Sequence, residues 1–243
     1  MPEIELKDLH KSFGEQTVLD GIDLAIEAGE TISVLGRSGT GKSVLLKLLI
    51  GLEKPDSGTI SIHGREIAGL DTPELNQVRK QIGFLFQQAA LYDSMTIEQN
   101  VEFPLKRHTK LSGDERKKRV KELLASVGLE SDFQKLPSEL SGGMKKRVGL
   151  ARALALDPPI IMFDEPTAGL DPITSAEIDE LILDLKKKRK MTSVVVTHDV
   201  HSARHISDRL VVLDRGRIVA QGTFGDLEKS GNPVVKGFLR GQG

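Results

Sequence analysis

The chain has 243 residues, 38 % of them hydrophobic and 28 % charged, the balance of a folded globular protein and too apolar for disorder. Lys and Arg number 34 against 35 Asp and Glu, a net charge of −1, so no global basic excess draws the chain to nucleic acid. Zero cysteines exclude a disulfide framework or a thiolate metal site and are compatible with a reducing compartment.

The N-terminal stretch Met1 to Leu6 alternates polar and apolar residues like a strand and lacks the charged-then-apolar layout of a signal peptide. The best apolar runs, Val44 to Ile50 and Ile160 to Phe163, fall short of the roughly 20 residues a membrane span needs. The expectation is a chain that crosses no bilayer and stays where it is made.

Alternating or β-branched runs near 3–9, 17–26, 30–35 and 59–63 predict strands, with Lys54-Pro55-Asp56-Ser57-Gly58 as turn chemistry between the last two. Phe13 precedes the third strand, and two readings stay open for it: stacking on a nucleotide base, or core packing. After the third strand come Gly36-Arg37-Ser38-Gly39-Thr40-Gly41-Lys42-Ser43 and then Val44, Leu45, Leu48 and Leu49 at helical spacing. This is the P-loop pattern in the strand–loop–helix context that validates it. Its glycines let backbone N–H groups curl around phosphate oxygens at a helix N-terminus. Lys42 is expected to reach the β and γ phosphates, and the Ser43 hydroxyl to bind Mg²⁺.

A strand is predicted at Ile82 to Phe86, ending in Gln87, which is placed to touch both Mg²⁺ and an attacking water, with Gln88 as the alternative. The pattern then turns helical over about 88–158, where Ser112-Gly113-Asp114-Glu115 is spaced as a capping box and Gly128 as a helix stop. Within this stretch Leu140-Ser141-Gly142-Gly143-Met144 opens a basic helix, Lys145 to Leu156. One chain thus offers a second phosphate-binding helix N-terminus.

Ile160 to Phe163 is a buried strand running into Asp164 and Glu165, at the strand end where parallel-sheet proteins place ligands. Asp164 is assigned to Mg²⁺ and Glu165 to the attacking water. Asp171-Pro172 opens a helix, and the cluster Lys186-Lys187-Lys188-Arg189-Lys190 reads as its solvated C-terminal end, with contact to anionic lipid as the alternative. A strand at Ser193 to Thr197 leads to His198, positioned to donate to a γ-phosphate in the transition state. A short helix, a hairpin about Asp214-Arg215-Gly216 and a final helix complete the chain.

In this order the segments resemble the ABC transporter ATPases over essentially the whole chain. Phe13 matches the adenine-stacking aromatic, Gly36 to Ser43 the Walker A loop, and Gln87 the Q-loop glutamine. Leu140 to Met144 matches the LSGGQ signature except at Met144, while Asp164 and Glu165 match Walker B with its catalytic base. Ala168-Gly169-Leu170-Asp171 matches the D-loop and His198 the switch histidine. The resemblance implies an α/β fold: a P-loop NTPase core with a RecA-like, mostly parallel sheet, an N-terminal antiparallel β subdomain and an inserted helical subdomain. The whole is one ABC ATPase domain over 1–243, with a catalytic core at 1–87 and 159–243 and the helical subdomain at about 88–158.

The implied cofactors are ATP and Mg²⁺. Glu165, His198, Gln87 and Lys42 are the implied catalytic set, and Ser43, Gln87 and Asp164 the metal set. Nucleotide contacts are implied for Phe13, Gly36, Arg37, Ser38, Gly39, Thr40, Gly41, Lys42, Ser43 and Val44, and for Ser141, Gly142, Gly143, Met144 and Asp171. The implied assembly is a head-to-tail homodimer in which Ser141 and Gly143 of one copy cap ATP on the other. It works on an integral-membrane permease from the cytoplasmic face of the inner membrane.

Leu85 to Thr96, Val101 to Leu105, Pro137 to Met144, Leu170 to Thr174 and the tail segment Asn232 to Val235 with Phe238 and Leu239 are similar to the Mla/Mce lipid-transport ATPases. That similarity implies phospholipid trafficking between membranes, an MCE-domain substrate-binding protein and an accessory subunit. An importer for amino acids or another small solute is the alternative. A ribosome- or DNA-remodelling ABC ATPase would usually carry two fused cassettes or a long coiled coil, and a GTPase switch an Asn-Lys-x-Asp sequence, none of which is present.

Overall fold

Residues 1–240 are described by the computed structural model. The chain opens with β1 (Ile4–Phe13), β2 (Gln16–Ile26), β3 (Thr31–Leu35), α1 (Lys42–Leu49), β4 (Ser57–Ile62), β5 (Arg65–Glu66) and α2 (Thr72–Arg79). It continues through β6 (Ile82–Leu85), α3 (Ile97–His108), α4 (Gly113–Ser126), α5 (Gly142–Ala153), β7 (Ile160–Asp164) and α6 (Pro172–Arg189). It closes with β8 (Thr192–Thr197), α7 (Val200–Ile206), β9 (Arg209–Asp214), β10 (Arg217–Gly222), α8 (Phe224–Glu228) and α9 (Pro233–Leu239). Two compact units emerge, residues 1–79 together with those from 190 onward, and residues 80–189.

In the first unit an antiparallel sheet runs in the order β2-β1-β4-β5. Its strands alternate, with Ile4, Leu6 and Leu9 of β1 and Ile22, Leu24 and Ile26 of β2 buried, as a sheet with one face on a core requires. The same unit holds β3 between β8 and β9, parallel to both, with β10 antiparallel to β9. Every residue of β3 and of β8 is buried, and the run Ser193-Val194-Val195-Val196-Thr197 is the near-continuous β-branched sequence of a strand covered on both faces. The register Leu35↔Thr197 brings the ends of β3 and β8 to one edge, with β9 running on beyond Val212, the partner of Leu35.

The predicted final helix divides into α8 and α9. Asn232 caps α9 by accepting from the Val234 amide at 2.9 Å, and Pro233 occupies its first turn. Val235 and Phe238 then bury against Leu35, Leu210, Val212 and Ala203, each contributing about 1.5–3 kcal/mol of apolar burial. The tail helix is therefore seated on its own unit.

In the second unit β6 and β7 pair in parallel, Ile82↔Ile160 through Leu85↔Phe163. The helices around them begin where the sequence supplies caps: Thr96 with Gln99 for α3, and Ser112 with Glu115 for α4. α4 closes at Val127 before Gly128, which takes φ 70. Asn100 on α3 is fully buried and ties the preceding turn down. Its Oδ1 accepts from the Tyr92 amide at 2.8 Å, and its Nδ2 donates to the carbonyls of Tyr92, Met95 and Thr96 at 3.1 Å each.

Candidate functional site: a phosphate loop and a signature helix

β3 delivers the chain to the P-loop with no freedom left, because Leu35 is fully buried. A β-carbon on Gly36 would lie 2.5 Å from Thr40 Oγ1 and 2.7 Å from the Leu213 carbonyl, so the loop curls tightly only without a side chain there. Gly41 takes φ 100 at the N-cap of α1. Lys42, only 7 % exposed, folds its ammonium into the curl, donating to the carbonyls of Gly36 at 2.6 Å and Arg37 at 2.9 Å.

Positive charge and the N-terminal end of α1 thus meet at one place, and the first turn of α1 carries no acidic residue to oppose them. That fits a polyphosphate. Ser43 is exposed one position further along α1. An opening of about 520 Å³ flanks the loop, lined by Val18, Arg37, Ser38, Thr40, Arg215 and Val234 among others, within the usual range for small-molecule sites.

His198 leaves β8 beside the P-loop. Since Leu35 is in register with Thr197, Gly36 and His198 follow on adjacent strands, one strand spacing or roughly 5 Å apart. His198 is exposed. Its backbone is fixed on both sides, for the Asp199 amide donates to Thr197 Oγ1 at 3.0 Å, while Asp199 Oδ1 caps α7 through the amides of His201 and Ser202. Phe13, at the end of β1, is 45 % exposed, which removes the core-packing alternative. The Lys11 ammonium lies 5.0 Å from its ring centroid.

In the second unit Gln87 is exposed in the turn after β6. That turn is held open by Arg152 of α5, whose guanidinium donates to the carbonyls of Ala89 at 2.6 Å and Ala90 at 2.7 Å, two residues at positive φ. Asp164 ends β7, and both Asp164 and Glu165 are half-buried. Glu165 has φ 49, unusual for a side-chain-bearing residue and more so before a proline.

Ser141 caps α5, its hydroxyl accepting from the Met144 amide at 3.3 Å. Met144 enters this cap through its backbone, so the departure from glutamine leaves the cap intact. The carboxylate of Asp171 is engaged by its own helix: Oδ1 accepts from the amides of Ile173 and Thr174 at 3.0 Å, and Oδ2 from the Thr174 hydroxyl at 2.6 Å. The Thr174 bonds hold its carboxyl below the usual range.

One residue escaped the sequence reading. Lys146 looks like part of a solvated basic run, yet it is only 5 % exposed. Burial pushes its ammonium down to about 8 against the opposing pull of Asp164 and Glu165. The signal was present, since Gly143, Lys146 and Leu150 fall on one helical stripe and all three are buried.

The family described as ABC transporter matches residues 19–168. The chain belongs to the ABC transporter family. It is the ATP-hydrolysing component of such a transporter and uses ATP with Mg²⁺. This ABC ATPase is 46 % identical over 239 residues to the probable ribonucleotide transport ATP-binding protein mkl of Mycobacterium tuberculosis, covering 98 % of this chain and 67 % of that protein. It is 44 % identical over 221 residues to the methionine import ATP-binding protein MetN of Brucella abortus, covering 91 % of this chain but 60 % of MetN.

Among solved structures, the ABC ATPase superimposes on the dimeric post-hydrolysis state of the ATP-binding cassette MJ0796 bound to ADP and Pi. The TM-score is 0.84 at 38 % identity, covering 90 % of this chain and 98 % of that one. CbiO1 of Clostridium perfringens, part of the ABC transporter complex cbiONQ, gives a TM-score of 0.86 at 32 % identity, covering 98 % and 95 %. The α/β cassette fold is shared with both. Among the described residues no helix is long and apolar enough to cross a membrane.

Proposed function

We propose that two copies of this ABC ATPase close around two ATP molecules and drive an integral-membrane permease from its cytoplasmic face, moving phospholipid or another lipid between membranes. The observation supporting the paired arrangement is that one chain carries two helix N-termini suited to phosphate, α1 behind the P-loop and α5 behind Ser141. In this reading the P-loop amides and Lys42 hold the β and γ phosphates, Phe13 stacks on the adenine, and Ser141 and Gly143 cap the nucleotide of the partner copy. Asp171 shapes the same face by capping α6 beside them.

Ser43, Gln87 and Asp164 would hold Mg²⁺, which when bound neutralises charge on the phosphate oxygens. Glu165 accepts the proton of the attacking water. His198 donates to the γ-phosphate as charge develops. Gln87, in a turn pinned by Arg152, links the permease-facing segment 85–96 to that chemistry.

The lipid reading is supported by the segments similar to Mla/Mce ATPases, and with it go an MCE-domain protein and an accessory subunit as partners. A second reading, import of a small solute, is favoured by the likeness to MetN. The two are separated by capturing the tagged chain from membranes and identifying the co-purified permease, then reconstituting it. ATP turnover stimulated by phospholipid acceptor vesicles and not by methionine supports the lipid reading. Stimulation by a solute-binding protein loaded with amino acid overturns it.

A further inference from the structure

The Glu165 backbone requires an explanation. Left-handed backbone costs roughly 1–2 kcal/mol for a residue with a β-carbon, and the following Pro166 favours extended backbone instead. Such conformations persist where neighbours over-determine them. Here the Glu165 carbonyl accepts two hydrogen bonds, from the Ala168 amide at 3.2 Å and from Lys146 Nζ at 2.8 Å. The second is charge-assisted and the stronger kind. A buried ammonium is itself costly and stays only where its partners are fixed.

We propose that Lys146 is a positioning residue for ATP cleavage: by clamping the Glu165 carbonyl it fixes the peptide plane from which the Glu165 carboxylate is aimed. The inference rests on the reading of Glu165 as the base. Lys146 lies five residues into the helix that Ser141 caps, so a single rigid element carries both the cap and the clamp. No contact of Lys146 with nucleotide is required.

Lys146→Met keeps the length and apolar stem and removes the donor; relief of the ammonium's desolvation cost offsets the lost bond to the neutral Glu165 carbonyl. The expected result is an unchanged or higher Tm, ATP-driven dimerisation and KM for ATP close to wild type, and kcat lowered roughly 10- to 100-fold, the scale of a misaimed catalytic group. Lys146→Gln, whose amide still donates, is expected to recover most of the loss, and it carries the test alone if the methionine variant does not fold.

Combined with Glu165→Gln, Lys146→Met is expected to add nothing to the slowing, because both act through one group. Wild-type kcat in Lys146→Met, equal losses in Lys146→Gln and Lys146→Met, a fall in Tm with KM and kcat worsening together, or an additive double variant would each overturn the clamp while leaving the base intact. Full turnover by Glu165→Gln alone would instead remove the base reading on which the clamp depends.

Discussion

Gly143 faces the Thr174 methyl so closely that a β-carbon on Gly143 would sit inside 3.0 Å of Thr174 Cγ2. The methyl has no room to swing aside, since the Thr174 hydroxyl is bonded to Asp171 Oδ2 at 2.6 Å. Gly143→Ala is therefore expected to destabilise the protein by about 1–3 kcal/mol, the usual cost of overpacking, and to impair ATP turnover by displacing the N-terminus of α5. Thr174→Ser removes the offending methyl and keeps the hydroxyl, so the double variant should regain most of the lost Tm in a thermal melt. A double variant no better than Gly143→Ala would show that the close approach is not the cause.

Lys42 has two tasks in one side chain. Its ammonium supplies charge within the P-loop and also ties down the Gly36 and Arg37 carbonyls. Lys42→Ala should lose binding of a fluorescent ATP analogue and lower turnover by about 100-fold or more. It should also speed hydrogen exchange at residues 36–41 in the absence of nucleotide. Wild-type nucleotide affinity in this variant would contradict the loop geometry.

Glu165→Gln preserves the size and the peptide plane while removing proton acceptance. Turnover is expected to fall about 100-fold or more with ATP binding spared, so that ATP-loaded dimers accumulate and elute at twice the monomer mass in light scattering. A monomer at saturating ATP and Mg²⁺ would count against the paired arrangement.

Asn100 secures the turn 92–96 through all of its side-chain hydrogen-bonding groups while fully buried. Asn100→Ala takes the side-chain partner from the buried Tyr92 amide and Met95 carbonyl and is expected to cost about 2–3 kcal/mol. Turnover of the isolated chain should stay near wild type while co-purification of the permease drops, because the turn belongs to the segment assigned to permease contact. Undiminished permease capture would detach that segment from the interface.

Local chemistry made the P-loop, the capping boxes at Ser112 and the start of α6 at Pro172 legible in the sequence, because glycine, cap residues and apolar period act over a few neighbours. α1 stops at Leu49, the last residue of its apolar period. Gly51 turns left-handed at φ 64, and the Leu52 amide bonds back to the Lys47 carbonyl at 2.8 Å. α2 opens on a local cap in Asp71-Thr72-Pro73-Glu74, with the Glu74 amide on Asp71 Oδ1 at 2.9 Å. Its single buried residue, Val78, gives almost no hydrophobic period.

Lys146 and Phe13 present a different case. Whether a lysine is buried or a phenylalanine exposed is decided by what packs against it from distant parts of the chain, and neither residue's immediate neighbours carry that information. The placement of β3 between β8 and β9 is likewise set by partners more than 150 positions away.

Because β3 and β8 finish level with one another, the stretch between Thr31 and Gly36 tolerates no change of length. One inserted residue would exchange the side chains packed on the two buried faces of the strand and carry the phosphate loop out of step with His198. Length variation among descendants of this gene should accordingly gather in surface connections such as Leu129 to Leu136, and a library of single-residue insertions selected for transport should return the strand empty.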